Sequence, residues 1–130
     1  MKEQAIRSQL SPASIHVFGE IQLYDQIDST NAAALRQLQS GKTGNWILLA
    51  QSQTAGRGRR GKQWLSPPGA GIYLSLVRQF DMAANALQAL SLVTALSLQQ
   101  ALEAFQNRGF FIPNLSPSVG VPSGATRMNP

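Results

Sequence analysis

The sequence predicts an α/β (α+β) domain, a mixed sheet packed with helices. Three observations point there. The order of periodic segments reads strand, helix, strand, loop, strand, helix. The chain of 130 residues is one domain's worth, since domains usually run to roughly 100–150 residues. Its apolar content of 43% is enough for a packed core and excludes wholesale disorder.

Residues 1–14 are polar and are expected to be a disordered, frayed N-terminus. Ile21-Gln22-Leu23-Tyr24-Asp25 alternates apolar and polar, the pattern of a half-buried strand. Asp28-Ser29-Thr30-Asn31 follows, and each of these side chains can cap a helix. The helix is expected over Asn31–Gln39, rich in Ala and Leu and stopped by Ser40-Gly41. Trp46–Ala50 is a continuous apolar run between turn residues, hence a buried strand. Residues 53–71 hold five of the eleven glycines and the Pro67-Pro68 pair and read as a loop. Ile72–Val77 is a third strand. Ala83–Phe105 carries helix formers and one charge, Glu103, with apolar residues around most of its circumference. Such a helix is expected to be buried on more than one face. Residues 107–130 form a Pro/Gly-rich tail without periodicity, expected to be disordered.

Composition excludes several chemistries. Without cysteine there is no disulfide framework, thiol nucleophile or Cys-ligated metal. A single histidine rules out a multi-histidine metal site and leaves a Ser-His-Asp hydrolase resting on His16, which is given no role. No secretory signal is present and no apolar run approaches the roughly 18 residues of a membrane span, so a cytoplasmic location is expected. The formal net charge of +5 is local: Arg57, Arg59, Arg60 and Lys62 fall within six positions, and the remainder of the chain is +1.

That cluster is Gly56-Arg57-Gly58-Arg59-Arg60-Gly61-Lys62. The glycines let the backbone approach a ligand closely, and their amides can point at anionic oxygens. The arginines bind phosphate or carboxylate bidentately. Together they describe an anion-binding loop; a basic nucleic-acid-binding module is the alternative. Ser29 and Thr30 stand where they cap a helix or bind a small polar ligand, and the cap is the simpler role. Trp64 beside the loop is either core or a cover for an apolar ligand. Lys62 is either a ligand contact or a solvated flank, and the flank is the simpler role.

Asp28-Ser29-Thr30-Asn31, then Gln53-Thr54-Ala55-Gly56-Arg57-Gly58-Arg59-Arg60-Gly61-Lys62-Gln63-Trp64-Leu65-Ser66-Pro67, then Gly71-Ile72-Tyr73-Leu74-Ser75 resembles the biotin–protein ligase family. The resemblance covers residues 15–106, the first part of that family's catalytic domain, and implies the fold of class II aminoacyl-tRNA synthetases and biotin synthetases. It implies a two-step reaction in which biotin is activated by ATP to biotinyl-5′-AMP and then passed to a lysine of a biotin carboxyl carrier protein domain. Biotin, ATP and Mg²⁺ are the implied small molecules, with no ligands for the ion identified. By motif position Ser29, Thr30, Asn31, Gln53, Gly56 and Arg57 would bind biotin. Arg57, Gly58, Arg59, Arg60, Gly61 and Trp64 would bind ATP and the adenylate, and Arg57 and Arg59 would be catalytic. The loop is expected to order over its ligand. Lipoate–protein ligase is the related enzyme alternative, and the tight Gly/Arg run favours biotin.

The sequence departs from the family after the long helix. It lacks the Lys-Trp-Pro-Asn-Asp segment and the later lysine, for its lysines are Lys2, Lys42 and Lys62. A truncated or frameshifted product, or an incomplete gene model, is therefore expected, with weak or absent activity and with unpaired sheet edges and an exposed apolar helix face that favour self-association. No room precedes residue 15 for a winged-helix DNA-binding domain, so no DNA partner is expected.

Overall fold

The computed structural model describes residues 2–109, and the expectation for the tail lies outside the described residues from position 110 onward. The chain forms two compact units, divided between Asp81 and Met82. The first holds helices α1 (Glu3–Arg7), α2 (Pro12–Val17) and α3 (Thr30–Gln39) and strands β1 (Glu20–Tyr24), β2 (Trp46–Ala50), β3 (Gln53–Arg57), β4 (Gln63–Ser66) and β5 (Tyr73–Val77).

The mixed sheet is present, in the order β1-β2-β5. β1 and β2 run parallel, with Ile21 opposite Ile47 and Leu23 opposite Leu49. β5 is antiparallel to β2, with Leu48 opposite Ser75. Helix α3 connects the two parallel strands, as such a pair requires. It lays Ala33 and Ala34 on Trp46 and Leu48, and Tyr24, Ile27 and Val77 pack around that cluster. The small alanine side chains let the helix approach the sheet closely. Trp46, Leu48 and Ala50 are buried on the α3 face while Ile21 and Ile47 are buried on the other. Two-sided burial explains why β2 reads as a continuous apolar run.

Three expectations are corrected. Residues 1–14 are not without structure. Helix α1 is closed by a Glu3–Arg7 ion pair at 2.6 Å, one turn apart. Helix α2 has Ser11 as its N-cap, accepting from the Ser14 amide, and Pro12 in its first turn. Residues 53–71 are not a plain loop, because β3 and β4 pair as an antiparallel hairpin. Most hairpin side chains are exposed, so burial imposes no regular alternation on its sequence.

The third correction falls in the second unit. A 3₁₀ turn spans Ala84–Leu87 and the long helix α4 runs Leu90–Gln106. Ala83 offers no capping side chain, and the first turn tightens to bonds such as Ala86 N to Ala83 O at 2.9 Å. Within this unit no residue of α4 is buried, which departs from the burial on more than one face read from its composition and agrees with the exposed apolar face also expected. Its exposed apolar surface includes Leu92, Val93, Leu96 and Leu98.

Candidate functional site

Chain segments that are distant in sequence are stitched together at the C-terminal end of β1. The Gln51 amide donates to Tyr24 O, Ile27 to Ser52 O, Thr54 to Ile27 O and Ala55 to Asp28 O, at 2.8–3.2 Å. The Ser52 hydroxyl adds a bond to Asp25 O at 3.1 Å. This short parallel ladder holds the Asp28-Ser29-Thr30 turn against the start of the hairpin.

Ser29 is the N-cap of α3, its oxygen accepting from Ala32 N at 3.3 Å. It therefore has the capping role that the sequence allowed. Thr30 is buried and turned toward Gln53. The Thr30 amide donates to Gln53 Oε1 at 2.8 Å, and its hydroxyl donates to the same oxygen at 3.2 Å. Gln53 Nε2 donates to Ser66 Oγ at 3.3 Å, and the Ser75 hydroxyl donates to Thr30 Oγ1 at 2.9 Å. One group of four side chains thus joins α3, β3, β4 and β5. Asn31, the next residue along, is exposed and takes no part in it.

Gly56 is buried beside this group. A Cβ there would stand 2.8 Å from Ser66 Oγ and from the Trp64 carbonyl, and 3.2 Å from Gln53 Nε2. The residue is glycine because the opposite strand occupies the side-chain position. A register shift between Gln53 and Gly56 accompanies the close approach. The hairpin then closes with Gly58 N donating to Lys62 O at 2.7 Å. Its tip holds Arg60 and Gly61 at φ of 61° and 74°. Positive φ is ordinary for glycine and uncommon for arginine.

Arg57, Arg59, Arg60 and Lys62 are exposed, and none forms an ion pair among the described residues. No acidic residue occurs between Asp28 and Asp81. The hairpin therefore carries four cations that the surrounding chain leaves free for an anion. Trp64, 63% exposed, lies beside Gly58 on this hairpin. It lines an open groove of about 650 Å³ together with Gln63, Leu65, Ile72 and Tyr73. The structure thus joins Thr30 and Gln53 in one part-buried group with Gly56 beside it, and sets Arg57, Gly58, Arg59, Arg60, Gly61 and Trp64 farther along the same hairpin. Ser66 and Ser75 lay in the quoted motifs, yet reading them as sequence gave them no role.

Asp28 anchors the turn from outside. Arg36 holds its carboxylate with two bonds, Nη1 to Oδ2 at 2.7 Å and Nη2 to Oδ1 at 2.9 Å. That pairing, helped by the Ser29 backbone amide, lowers the Asp28 pKa from 3.8 to about 2. A carboxylate with a depressed folded pKa contributes stability above its unfolded value and loses it as pH falls through the folded one. The wild-type melting temperature should therefore fall between pH 3.8 and about 2, and Asp28→Asn should flatten that part of the profile. An unchanged acid limb in the variant would show that the pair adds nothing.

Among the described residues no helix is long and apolar enough to cross a membrane, and no group of three His, Cys, Asp or Glu side chains could hold a metal ion. Comparison with known proteins completes the picture. A bifunctional ligase/repressor BirA of Escherichia coli (strain K12) is 38% identical over 84 residues, 65% of this chain and 26% of that protein. A biotin–[acetyl-CoA-carboxylase] ligase of Paracoccus denitrificans is 48% identical over 75 residues, 58% of this chain and 30% of that protein. The chain thus matches less than a third of either relative's length. A crystal structure of a biotin protein ligase from Leishmania major in complex with biotinyl-5-AMP superposes with a TM-score of 0.51 at 28% identity, covering 63% of this chain and 33% of that one. The sequence profile of the biotin/lipoate A/B protein ligases matches residues 23–119. That span contains the Thr30–Gln53 group and the whole Gly/Arg hairpin, and on it the chain belongs to the biotin/lipoate A/B protein ligase family.

Proposed function

We propose that this chain binds biotin and ATP in the manner of a biotin–protein ligase, forming biotinyl-5′-AMP and passing biotin to a lysine of a biotin carboxyl carrier protein domain. The observation that carries the reading is the junction of a part-buried, uncharged hydrogen-bonding group with an unpaired cationic hairpin. Such a junction suits a ligand that is neutral and polar at one end and anionic at the other. The two ligase relatives and the biotinyl-5-AMP complex support it.

In this reading Ser29, Thr30 and Asn31 lie toward the ring end of biotin, Gln53 lies near its carboxyl end, and Gly56, Arg57 and Arg59 line the carboxylate–phosphate junction. A carboxylate oxygen attacks the α-phosphorus of ATP, forming the new P–O bond as the bond to pyrophosphate breaks. Two anions must meet, and Arg57 and Arg59 reduce their repulsion with charges already in place. Trp64 and the groove beside it would cover the adenylate. The carrier lysine's amine then attacks the acyl carbon and AMP leaves. The described residues do not fit a protein-held Mg²⁺; the ion would arrive with the nucleotide phosphates, as Mg²⁺ commonly does. An ATP-dependent reaction of this kind belongs in the cytoplasm.

Calorimetry with biotin and a non-hydrolysable ATP analogue tests the reading. The wild-type chain should show saturable binding. Arg57→Ala should weaken it roughly 10–100-fold, the loss of one charge-assisted contact. No saturable biotin binding, or tight binding of single-stranded DNA that ignores biotin, would defeat it.

A further inference from the structure

We propose that β5 is a docking edge for a second copy of this chain, the two copies pairing their β5 strands antiparallel about a two-fold axis through Ser75. The inference stands apart from the biotin reading and holds whether or not the chain binds that ligand. It begins from the two edges of the mixed sheet, which are β1 and β5. The β1 edge is guarded. Glu20 accepts from Lys42 Nζ at 2.7 Å and from Gln22 Nε2 at 2.6 Å. Gln22 and Gln37 exchange bonds of 3.1 and 2.7 Å, and the Tyr24 hydroxyl donates to Gln22 Oε1 at 2.8 Å. Ahead of the strand Arg7 Nη2 donates to Gly19 O at 2.8 Å, and helix α1 lies against β1. Charges and covering elements of this kind keep an edge from pairing. The β5 edge has none of them. It reads Tyr73-Leu74-Ser75-Leu76-Val77, with no charge and no proline, and its register against β2 is unbroken. Among the described residues no strand lies beyond it.

The strand's own pattern names the occupant. A two-fold contact must be self-complementary, each residue meeting the one at the mirrored position of the other copy. With Ser75 opposite Ser75 of the second copy, Leu74 meets Leu76 and Tyr73 meets Val77. Every pair beside the axis is apolar and no like charges face each other, which favours cross-strand pairing. The faces agree as well. Tyr73, Ser75 and Val77 stand opposite Ala50, Leu48 and Trp46, on the α3 face. Leu74 and Leu76 lie on the other face, both exposed, and each would gain an apolar neighbour from the second copy. The product is one sheet in the order β1-β2-β5-β5-β2-β1. Both of its outer edges are the guarded ones, so association stops at two copies. Each copy contributes a strand of only five residues, against roughly 20–30 residues a side in a standard interface. The dimer is therefore weak, with a Kd on the order of 10–100 µM.

Two measurements on the full chain test this. In sedimentation equilibrium wild type should pass from monomer to dimer as concentration rises, with nothing larger. Leu74→Lys places a charge on the bare edge and should weaken the dimer at least roughly tenfold. Leu96→Gln, on the exposed apolar surface of α4, should dimerise like wild type. The second measurement reads the register, and the absence of native cysteine leaves it without background. Directly opposed Cα atoms lie roughly 4.5–5.5 Å apart, within disulfide reach, whereas diagonal neighbours at roughly 7–8 Å lie outside it. An equimolar mixture of Leu74→Cys and Leu76→Cys chains should therefore form cross-linked heterodimers under mild oxidation. Either variant alone should stay largely uncross-linked. A wild-type chain that is monomeric at every concentration overturns the proposal, as do open-ended oligomers. So does association that Leu96→Gln abolishes and Leu74→Lys leaves intact, for α4 would then hold the copies together. Equal cross-linking in the mixture and in the single variants overturns it too. If Leu74→Lys fails to fold, the cysteine mixture, which adds no charge, still decides.

Discussion

Trp46→Ala should leave the isolated chain largely unfolded at 25 °C. Trp46 and Leu48 are the largest fully buried side chains, and the buried apolar set among the described residues is completed by Ile21, Ala33, Ala34, Ile47 and Ala50. Truncating a buried tryptophan costs roughly 3–5 kcal/mol, against a total of about 5–15 kcal/mol for ordinary domains. With three of its seven buried apolar residues alanine, this core belongs at the low end of that range. Trp46→Phe should behave differently. The indole Nε1 is buried without a hydrogen-bond partner, and an unmet buried donor costs roughly 1–3 kcal/mol. Phenylalanine removes that cost while giving up part of the apolar area, and it still offers a ring to Lys42, whose ammonium sits 4.7 Å from the Trp46 ring centroid. The phenylalanine variant is expected within about 1 kcal/mol of wild type on those two opposing terms. Urea titration read by circular dichroism checks both. A Trp46→Phe midpoint as low as that of Trp46→Ala would mean that volume alone decides, and the orphaned N–H counts for nothing.

What could be read from the sequence, and what could not, follows from which forces shaped each segment. β2 and α3 were legible because burial wrote them: an unbroken apolar run for a strand covered on both faces, and an Ala-rich helix with Ser29 as its cap. The Ser11-Pro12 start of α2 is an equally clear helix signal, set in a polar segment without the apolar periodicity that marks a helix. The β3–β4 hairpin left no such trace, since exposed side chains and a backbone ladder to residues 27 and 28 carry no periodicity. α4 shows the limit in the other direction. Its composition states that apolar surface needs a cover, and composition cannot say what covers it. Within the site, Thr30, Gln53 and Gly56 were found through the motifs, while Ser66 and Ser75 were not given a role. They meet Gln53 and Thr30 across 13 and 45 residues, and a serine in a strand signals nothing until its partner is known. The absence of any acidic residue between Asp28 and Asp81 is the sequence signal for the hairpin. It makes the hairpin's charge uncompensated as well as dense.

Gly56→Ala should damage ligand binding more than any other single methyl group placed in the hairpin. Its backbone is not in the left-handed region, so no conformational penalty is involved; the obstacle is that two strands already touch there. The added Cβ would meet the Trp64 carbonyl and Ser66 Oγ, each at 2.8 Å, and the first of these is main chain that cannot swing aside. β4 would have to move away from β3, stretching the Gln53–Ser66 bond, which is already 3.3 Å long. Overpacking of this kind costs roughly 1–3 kcal/mol. Because the displaced atoms are those that orient Gln53, the same cost should appear in biotin affinity as a loss of roughly 10–100-fold. Two neighbouring glycines provide the scale. At Gly58 a Cβ would come no closer than 3.4 Å, to Lys62 O, so Gly58→Ala should be nearly silent. Gly61 has open space around it but a φ of +74°, and Gly61→Ala should cost about 1–2 kcal/mol of hairpin stability through backbone strain while leaving Gln53 in place. Biotin affinity should thus fall in the order Gly58→Ala, Gly61→Ala, Gly56→Ala, with thermal midpoints separating the strained tip from the forced strands. If Gly56→Ala bound biotin like wild type, the close packing of β3 on β4 would not be what holds Gln53 in position.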